Sequence, residues 1–310
     1  MIRKIVFNSL VCCSFSMLAQ DHIKTADILI YYTPNTEFVF PTSKIVNSQT
    51  TETIRKNFLS VNLSQRFDNT YNSNITNPLN NAAHNFFGLG NISDIRFSMD
   101  YGLTNYLTLG IGRSKFKEMF DGTIKWRMLT QTTANRPVSI TFYGNIGYST
   151  MSTEKLYAGV VPIKKNELHR FQYCSQLLIA RKVNEKISLQ IMPTYVYRNF
   201  IKLDMNTKNY REDKNGLFSM GVAARLKLTK KIVFVLDYFY NFSSFQNKNP
   251  LGYYNAFGVG FELLIRKRMF NFNFTNSDAV LESSFMPYTR STWARGQVKL
   301  GFNISKWFIL

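Results

Sequence analysis

Histidine is the side chain that most often serves as a general base or metal ligand, and the chain has three, His22, His84 and His169. None has a motif partner, because the sequence lacks a His-Glu-x-x-His, a paired cysteine spacing and an acidic calcium loop. His169 could serve a lipase on the outer wall of a membrane barrel, but Phe171, not a serine nucleophile, stands two residues further on. We therefore predict no enzymatic activity, no cofactor and no metal site, and a lipase is the least favoured alternative.

Two glycines, Gly110 and Gly112, could be mistaken for part of a nucleotide-binding loop. The third glycine of that motif is absent, and the two alternate with Leu109 and Ile111 as residues of a strand do. Close backbone approach, or bending of the strand, explains them better.

Charged residues that alternate with apolar ones form the largest group able to bind a ligand. The members that share the polar face of their segments are Arg66, Asp94, Arg96, Asp100, Lys125, Arg127, Arg170, Arg198, Arg225, Lys227, Asp237, Glu262 and Lys299. Basic residues outnumber acidic ones nine to four on this face, and the whole chain has 38 Lys+Arg against 19 Asp+Glu. A narrow space lined by one sign of charge concentrates counter-ions, whereas paired charges would close it. Both possibilities stay open at this stage.

The elements that position these charges are predicted to be β-strands. Between Asp94 and Leu103 the odd-numbered residues are apolar and most even-numbered ones polar, and segments of roughly ten residues repeat this alternation from about residue 58 onward. An aromatic content of 15% also favours strands. We predict an all-β transmembrane antiparallel up-and-down barrel of about twelve strands, within a range of about 10–14. The apolar runs are too short for a helix that spans a membrane.

Loop lengths and aromatic residues distinguish a barrel from a soluble β-protein. Short connections alternate with long ones, which lie near 68–93, 149–168, 199–216, 241–254 and 276–296. The connections near 114–122 and 130–137 have similar lengths, so their lengths do not assign them to either side of the membrane. The aromatic residues predicted to face lipid near the ends of strands are Tyr101, Tyr148, Tyr195, Tyr197, Tyr238, Tyr240 and Trp307. A soluble periplasmic protein with its apolar faces packed together is the alternative.

The N-terminus predicts export. A basic start containing Arg3 and Lys4 precedes an apolar stretch and the small residue Ala19, so residues 1–19 are predicted to be a signal peptide. Residues 20–57 lack the ten-residue rhythm and form a periplasmic or lumenal segment, and residues 58–310 form the barrel. Two of the three cysteines lie in the leader, which leaves Cys174 without a disulfide partner.

These features predict a cell outer-membrane protein whose partners are outer-membrane lipids, the barrel-assembly machinery and small anionic solutes. Basic turns such as Lys230-Lys231 suit lipid phosphates, and no stacking platform or recognition helix accompanies them, so nucleic acid is not an expected partner. Two functions remain open for the lumen: a narrow pore for small anionic or polar solutes, and a closed, structural barrel.

Several short segments also carry a family resemblance. They are Asn91–Arg96, Asp100–Gly102, Leu109–Arg113, Phe120–Gly122, Lys125, Gln131, Pro137–Ser139, Gln176–Arg181, Phe274–Asn276 and Gly301–Ile304. On these segments the chain, from about residue 38 to the C-terminus, resembles a family of uncharacterised outer-membrane β-barrel proteins of the Bacteroidota. The resemblance implies a fold and a location, and it brings no activity or site residues with it.

Overall fold

The alternating segments form strands in a computed structural model of the chain. It describes residues 39–40, 42–73, 77–132, 135–157, 165–201, 213–229, 232–248, 252–265 and 268–310. The predicted signal peptide and residues 20–38 lie outside the described residues. No helix within these ranges has both the length and the apolar character needed to cross a bilayer.

The strands are β1 (Phe58–Asn69), β2 (Ile92–Gly102), β3 (Leu107–Ser114), β4 (Met119–Leu129), β5 (Ser139–Ser149), β6 (Phe171–Lys182), β7 (Ile187–Arg198), β8 (Gly216–Lys227), β9 (Ile232–Asn241), β10 (Ala256–Ile265), β11 (Arg268–Thr275) and β12 (Lys299–Ile309). Each pairs antiparallel with its sequence neighbours, and β1 pairs with β12, so that the sheet closes on itself. The prediction of an all-β up-and-down barrel with about twelve strands is confirmed.

Connections at the two ends of the barrel differ in length. We call the end near Phe58 and Leu310 the termini end, and the opposite end the long-loop end. Most connections at the long-loop end are long, and they contain the short helices α1 (Pro78–His84), α2 (Thr153–Leu156), α3 (Ser244–Lys248) and α4 (Glu282–Tyr288). The exception there is the β3–β4 connection, a single 3₁₀ turn at Phe116–Glu118. The β3–β4 connection is shorter than the β4–β5 connection at 130–138 on the opposite end. Loop length alone therefore could not show which of these two connections lies at which end of the barrel.

The outer face carries the aromatic residues predicted to meet lipid. Tyr195, Tyr197 and Tyr240 are exposed there, and Tyr148 and Tyr238 are half-buried. Trp307 is a correction to the prediction. It pairs with Ser60, which is buried on the lumen side, and it shares the parity of Asn303, whose amide donates to the Ile45 carbonyl inside the barrel (2.6 Å). Strand alternation therefore turns Trp307 inward.

The apolar core lies in the lumen rather than between two sheets. Its wall residues include Leu178, Val235 and Phe239. Two other segments add to the same cluster, one containing Ile45 and the other Phe285. The lumen is thus filled with protein from segments outside the strands, and these segments form the candidate site.

Candidate functional site in the barrel lumen

Residues 42–56, which we call the N-terminal plug, fold back into the barrel ahead of β1. Lys44 and Gln49 form a short antiparallel bridge, and the amide of Ile45 donates to the Ser48 carbonyl (3.0 Å). The turn between them presents four donors to the wall. Asp237 on β9 accepts all four, from the amide and side chain of Asn47 (2.6 and 2.7 Å) and from the amide and hydroxyl of Ser48 (2.8 and 3.0 Å). A buried carboxylate with this many donors needs no counter-ion beside it.

Further charges of the wall bind the same plug. Glu52 pairs with Arg127 on β4 (2.9 Å), and the Thr42 hydroxyl donates to Glu262 on β10 (3.0 Å). The Lys125 ammonium donates to the Ser43 carbonyl (3.0 Å). Arg66 reaches the Val46 carbonyl (3.4 Å), and Glu262 also pairs with Arg225 (3.4 Å). The polar face of the strands therefore contacts protein at these positions instead of bulk water.

The β11–β12 connection enters the lumen from the long-loop end, and we call residues 277–291 the loop plug. Asp94 on β2 accepts from the Val280 amide (2.8 Å), and Lys299 on β12 pairs with Asp278 (2.8 Å). The Gln172 amide donates to the hydroxyls of Ser283 and Ser284 at the start of α4 (3.2 and 2.8 Å). Behind these serines, Phe285 packs edge-on against Phe239 of β9, with ring centroids 5.1 Å apart.

The two plugs meet inside the barrel. Lys44 of the N-terminal plug donates to the Val280 carbonyl (2.9 Å) and lies 3.7 Å from a carboxylate oxygen of Glu282. Gln49 also donates to Glu282 (3.0 Å), and Tyr143 on β5 donates to its second oxygen (2.9 Å). Glu282, Lys44 and Gln49 form what we call the plug contact.

Burial shapes the charges of the plug contact. It lowers the pKa of the Lys44 ammonium to about 8, although the neighbouring Glu282 acts to raise it. For Glu282, burial acts to raise the pKa, but Lys44 and the Gln49 amide outweigh it, so the pKa lies below the ordinary value. Both groups are therefore charged at neutral pH and hold each other in place.

Two other ion pairs lie along the wall. Arg96 on β2 pairs with Asp121 on β4 through two hydrogen bonds, and Arg198 on β7 binds Asp213 at 3.0 and 3.1 Å. Gly112 explains why the first pair fits. A Cβ atom there would lie 2.5 Å from the Arg96 guanidinium and 2.9 Å from Asp121.

Gly110 has the same role beside Asp100, since a Cβ atom at Gly110 would clash with that carboxylate. Asp100 accepts from the Asn62 amide of β1 (2.7 Å). The alternating glycines on β3 therefore make room for buried charges on the neighbouring strands. The groups that approach them are side chains, not the backbone that the sequence suggested.

Two of the charged residues predicted to line the lumen lie at the rim of the barrel instead. Arg170 lies in the 3₁₀ turn Glu167–Arg170 before β6, where it binds the carbonyls of Ser149 (3.1 Å) and Met151 (2.6 Å) at the rim. Lys227 is the last residue of β8 and is exposed. Both residues lie beyond the filled part of the lumen. The alternation of apolar and polar residues does not show where a strand ends, so the sequence could not exclude them.

His169 occupies that same turn rather than a strand. Its Nδ1 lies 2.9 Å from the Tyr157 hydroxyl, and its ring stacks on Phe200. These contacts of His169 join two loops at the rim. Among the described residues, no serine hydroxyl is recorded in contact with the imidazole.

The partners missed by the sequence analysis are mostly acidic: Lys44, Glu52, Asp121, Asp213, Asp278 and Glu282. Asp121 could have been found, because it shares the parity of Lys125 and Arg127 on β4. The others lie outside the strands, where no periodicity assigns them a face.

Two cavities of about 30 and 40 Å³ lie beside the N-terminal plug, and both touch Arg96 and Asp100. Each can hold about one or two water molecules. In the part of the chain that the structure describes, no group of three or more His, Cys, Asp or Glu side chains is placed to hold a metal ion.

Together, the closed antiparallel sheet, its apolar outer face and its filled polar interior define a membrane-bound β-barrel with an internal plug. The chain belongs to the family described as "Membrane bound beta barrel domain (DUF5777)", whose model matches residues 40–308. This match confirms the expected resemblance to an uncharacterised family of β-barrel proteins. Among curated proteins, none matches the chain significantly.

The following solved structures have a similar fold but share little sequence identity with this chain. The NanC porin has a TM-score of 0.46 and 6% identity, over 81% of this chain and 99% of that one. Omp33 of Acinetobacter baumannii has a TM-score of 0.38 and 10% identity, over 81% of this chain and 97% of that one. The outer membrane phospholipase of Salmonella typhi also has a TM-score of 0.38 and 10% identity, over 82% of this chain and 91% of that one.

Proposed function

We propose that the protein is a non-enzymatic, integral barrel of the outer membrane, exported by its signal peptide, whose lumen is closed to solutes in the state described. The partners that this proposal implies are outer-membrane lipids and the barrel-assembly machinery. The observation that carries it is the plug contact, in which Lys44 and Gln49 meet Glu282 in the middle of the barrel.

The energetics of the lumen support closure. A pore needs a continuous hydrated path, and its wall charges must be exposed to the passing solute. Here the charged groups of the wall bind Glu52, Asp278 and the turn at Asn47. Removing one partner of a buried pair costs about 3–5 kcal/mol, so spontaneous withdrawal of a whole plug is a rare event.

Conductance in a planar bilayer tests the proposal. We expect the refolded mature protein to insert without producing steady current. Deletion of residues 42–53 removes most of the N-terminal plug and should produce open-channel steps. The matched control is Lys227→Gln, which removes an exposed rim charge and should stay silent. Steady conductance of the unaltered protein would contradict closure, and a silent deletion variant would show that the loop plug closes the lumen alone.

A narrow pore for small anionic or polar solutes is the second candidate. The observation that favours it is the excess of basic groups among the wall charges that the N-terminal plug covers. Its withdrawal would uncover Arg66, Lys125 and Arg127, against the acidic Asp237 and Glu262. In a salt gradient, the current of the deletion variant should then prefer anions, and Arg127→Glu should reduce that preference. Cation preference in the deletion variant would contradict this candidate.

An outer-membrane lipase is the third possibility, and the structure gives it the least support. The imidazole of His169 contacts Tyr157 and Phe200, and a phenol is a poor substitute for the serine that such an enzyme requires.

A further inference from the structure

The outer wall of β3–β5 has a hollow close to the long-loop end. Gly122 forms its floor, between Ile111 on β3 and Ile146 on β5. Because Gly122 has no side chain while its neighbours are large, a groove of about 510 Å³ opens on the lipid-facing side. This volume lies within the range of small-molecule sites, roughly 300–1,000 Å³. Its other apolar walls include Phe97, Phe120 and Phe171.

One charged side chain of the outer face lines this groove. Arg113 has the parity of Ile111, and its guanidinium lies over the ring of Phe120, 4.6 Å from the centroid. One of its nitrogens donates to the Ser114 carbonyl (3.2 Å), and no acidic side chain among the described residues forms an ion pair with it. An arginine on a lipid-facing wall is costly unless it reaches the headgroups or an anion.

The surroundings of Arg113 favour an anion. Lys115 follows it and is exposed at the same rim. Glu167, near the opposite wall of the groove, is already paired with Arg170 (2.9 Å) and accepts from the Tyr148 hydroxyl (3.1 Å). The β3–β4 connection above is a single 3₁₀ turn, so the rim is low where a headgroup would approach.

We propose that this groove binds one phosphate-bearing acyl lipid from the leaflet on the long-loop side. An acyl chain lies over Gly122, and the phosphate contacts Arg113. The donors on the edge of a guanidinium suit phosphate oxygens, and the stacked Phe120 ring fixes the plane of the guanidinium. This site lies on the opposite side of the wall from the lumen, so it does not depend on whether the lumen conducts.

Gly122 offers a variant that fills the groove without disturbing the wall. A Cβ atom there would meet Cγ2 of Ile146 at 3.5 Å, an ordinary contact. Gly122→Phe should therefore occupy the space of the acyl chain, whereas Gly122→Ala, its matched control, leaves most of the space open. Arg113→Gln removes the charge that recognises phosphate, and Lys306→Gln alters a basic residue at the termini end as the control.

Native mass spectrometry of the folded protein in a nonionic detergent, titrated with phosphatidic acid, measures the binding. We expect one tightly bound lipid on the unaltered protein, Gly122→Ala and Lys306→Gln, and affinities weaker by about tenfold or more for Gly122→Phe and Arg113→Gln. Diacylglycerol with the same acyl chains should bind about tenfold more weakly than phosphatidic acid. Inorganic phosphate alone should not compete.

Equal phosphatidic acid binding by all variants would overturn the proposal, because it would mean that the lipid belongs to the general annulus around the barrel. Competition by inorganic phosphate, with no loss in Gly122→Phe, would also overturn it in favour of a simple anion site. If Gly122→Phe fails to fold, two other comparisons still test the proposal. They are the affinity of Arg113→Gln against that of Lys306→Gln, and the binding of phosphatidic acid against that of diacylglycerol.

Discussion

Lys44 lies ahead of the first strand and Glu282 lies between the last two strands, and the two side chains meet in the buried interior of the lumen. A buried charge is stable only while its partner is present, because solvent is not at hand to replace it. Glu282 is fully buried and Lys44 is 13% exposed, so loss of the ion pair costs more free energy at the carboxylate than at the ammonium.

Glu282→Gln should lower the free energy of unfolding by about 3 kcal/mol, because it leaves the Lys44 ammonium facing a neutral amide. Urea unfolding in phospholipid vesicles measures the loss. Lys44→Met combined with Glu282→Gln should recover at least ~1 kcal/mol of it, since the double variant no longer buries an unpaired charge. Losses that simply add would contradict direct coupling between the two residues.

Gly112 and Gly122 lie near each other on β3 and β4 but face opposite sides of the wall. Gly112→Ala should cost about 2–3 kcal/mol, because the new methyl group displaces the buried pair of Arg96 and Asp121. Gly122→Ala should change stability by about 0.5 kcal/mol or less. The same unfolding assay compares them, and equal effects would argue against the close approach at Gly112.

At the scale of elements, the turn of the N-terminal plug depends on one carboxylate of the wall. Asp237→Asn replaces an acceptor of four hydrogen bonds with a group that is half donor, so the amides of Asn47 and Ser48 lose partners. Hydrogen exchange in residues 42–56 should quicken by about tenfold or more while the strands stay protected.

Cys174→Ala is the matched control for this variant, since Cys174 is also buried in the lumen. It should leave exchange in the plug unchanged. Unchanged exchange in Asp237→Asn as well would mean that other contacts hold the plug.

The strands could be predicted because burial on one face and lipid on the other impose a period of two over their whole length. The same parity identified lumen-side residues such as Arg96 and Asp237. It could not supply partners such as Glu52 and Glu282, because these residues lie in segments without periodicity. The prediction for Trp307 was wrong because it did not follow this parity, which places Trp307 on the same face as the lumen-side Asn303.

The contacts on which the proposed closure of the lumen rests likewise could not be predicted from the strands. An excess of basic residues on their inner face suggests attraction for anions, but in the structure carboxylates and carbonyls of the two plugs already occupy many of them. Charge counted only over the regular elements therefore overstates the charge that a solute would meet.

For the whole molecule, acid should weaken the plug. The pKa of Glu282 is lower in the folded protein than its ordinary value of 4.5. Its stabilisation is therefore fully present above pH 4.5 and is lost as the pH falls through the lower, folded-state pKa. Lys44, with a pKa of about 8, stays charged throughout this range.

The difference in unfolding free energy between the unaltered protein and Glu282→Gln should thus stay constant from pH 7 down to the ordinary pKa of 4.5 and shrink as the pH falls below that value. Urea titrations at several pH values measure it. Parallel pH profiles for the two proteins would mean that Glu282 does not contribute to the acid response.

The lumen also bears on how the barrel is assembled. Its contacts join residues far apart in sequence, such as Thr42 with Glu262, 220 positions away, and Ile45 with Asn303, 258 positions away. Such contacts form late and slowly, after the last hairpin has arrived. A seam between β1 and β12 that slipped by one residue would turn the inward groups of a strand toward lipid and leave the donors of the plug facing apolar side chains. The N-terminal plug therefore favours the correct register of closure, because only that register pairs its hydrogen-bonding groups with those of the wall.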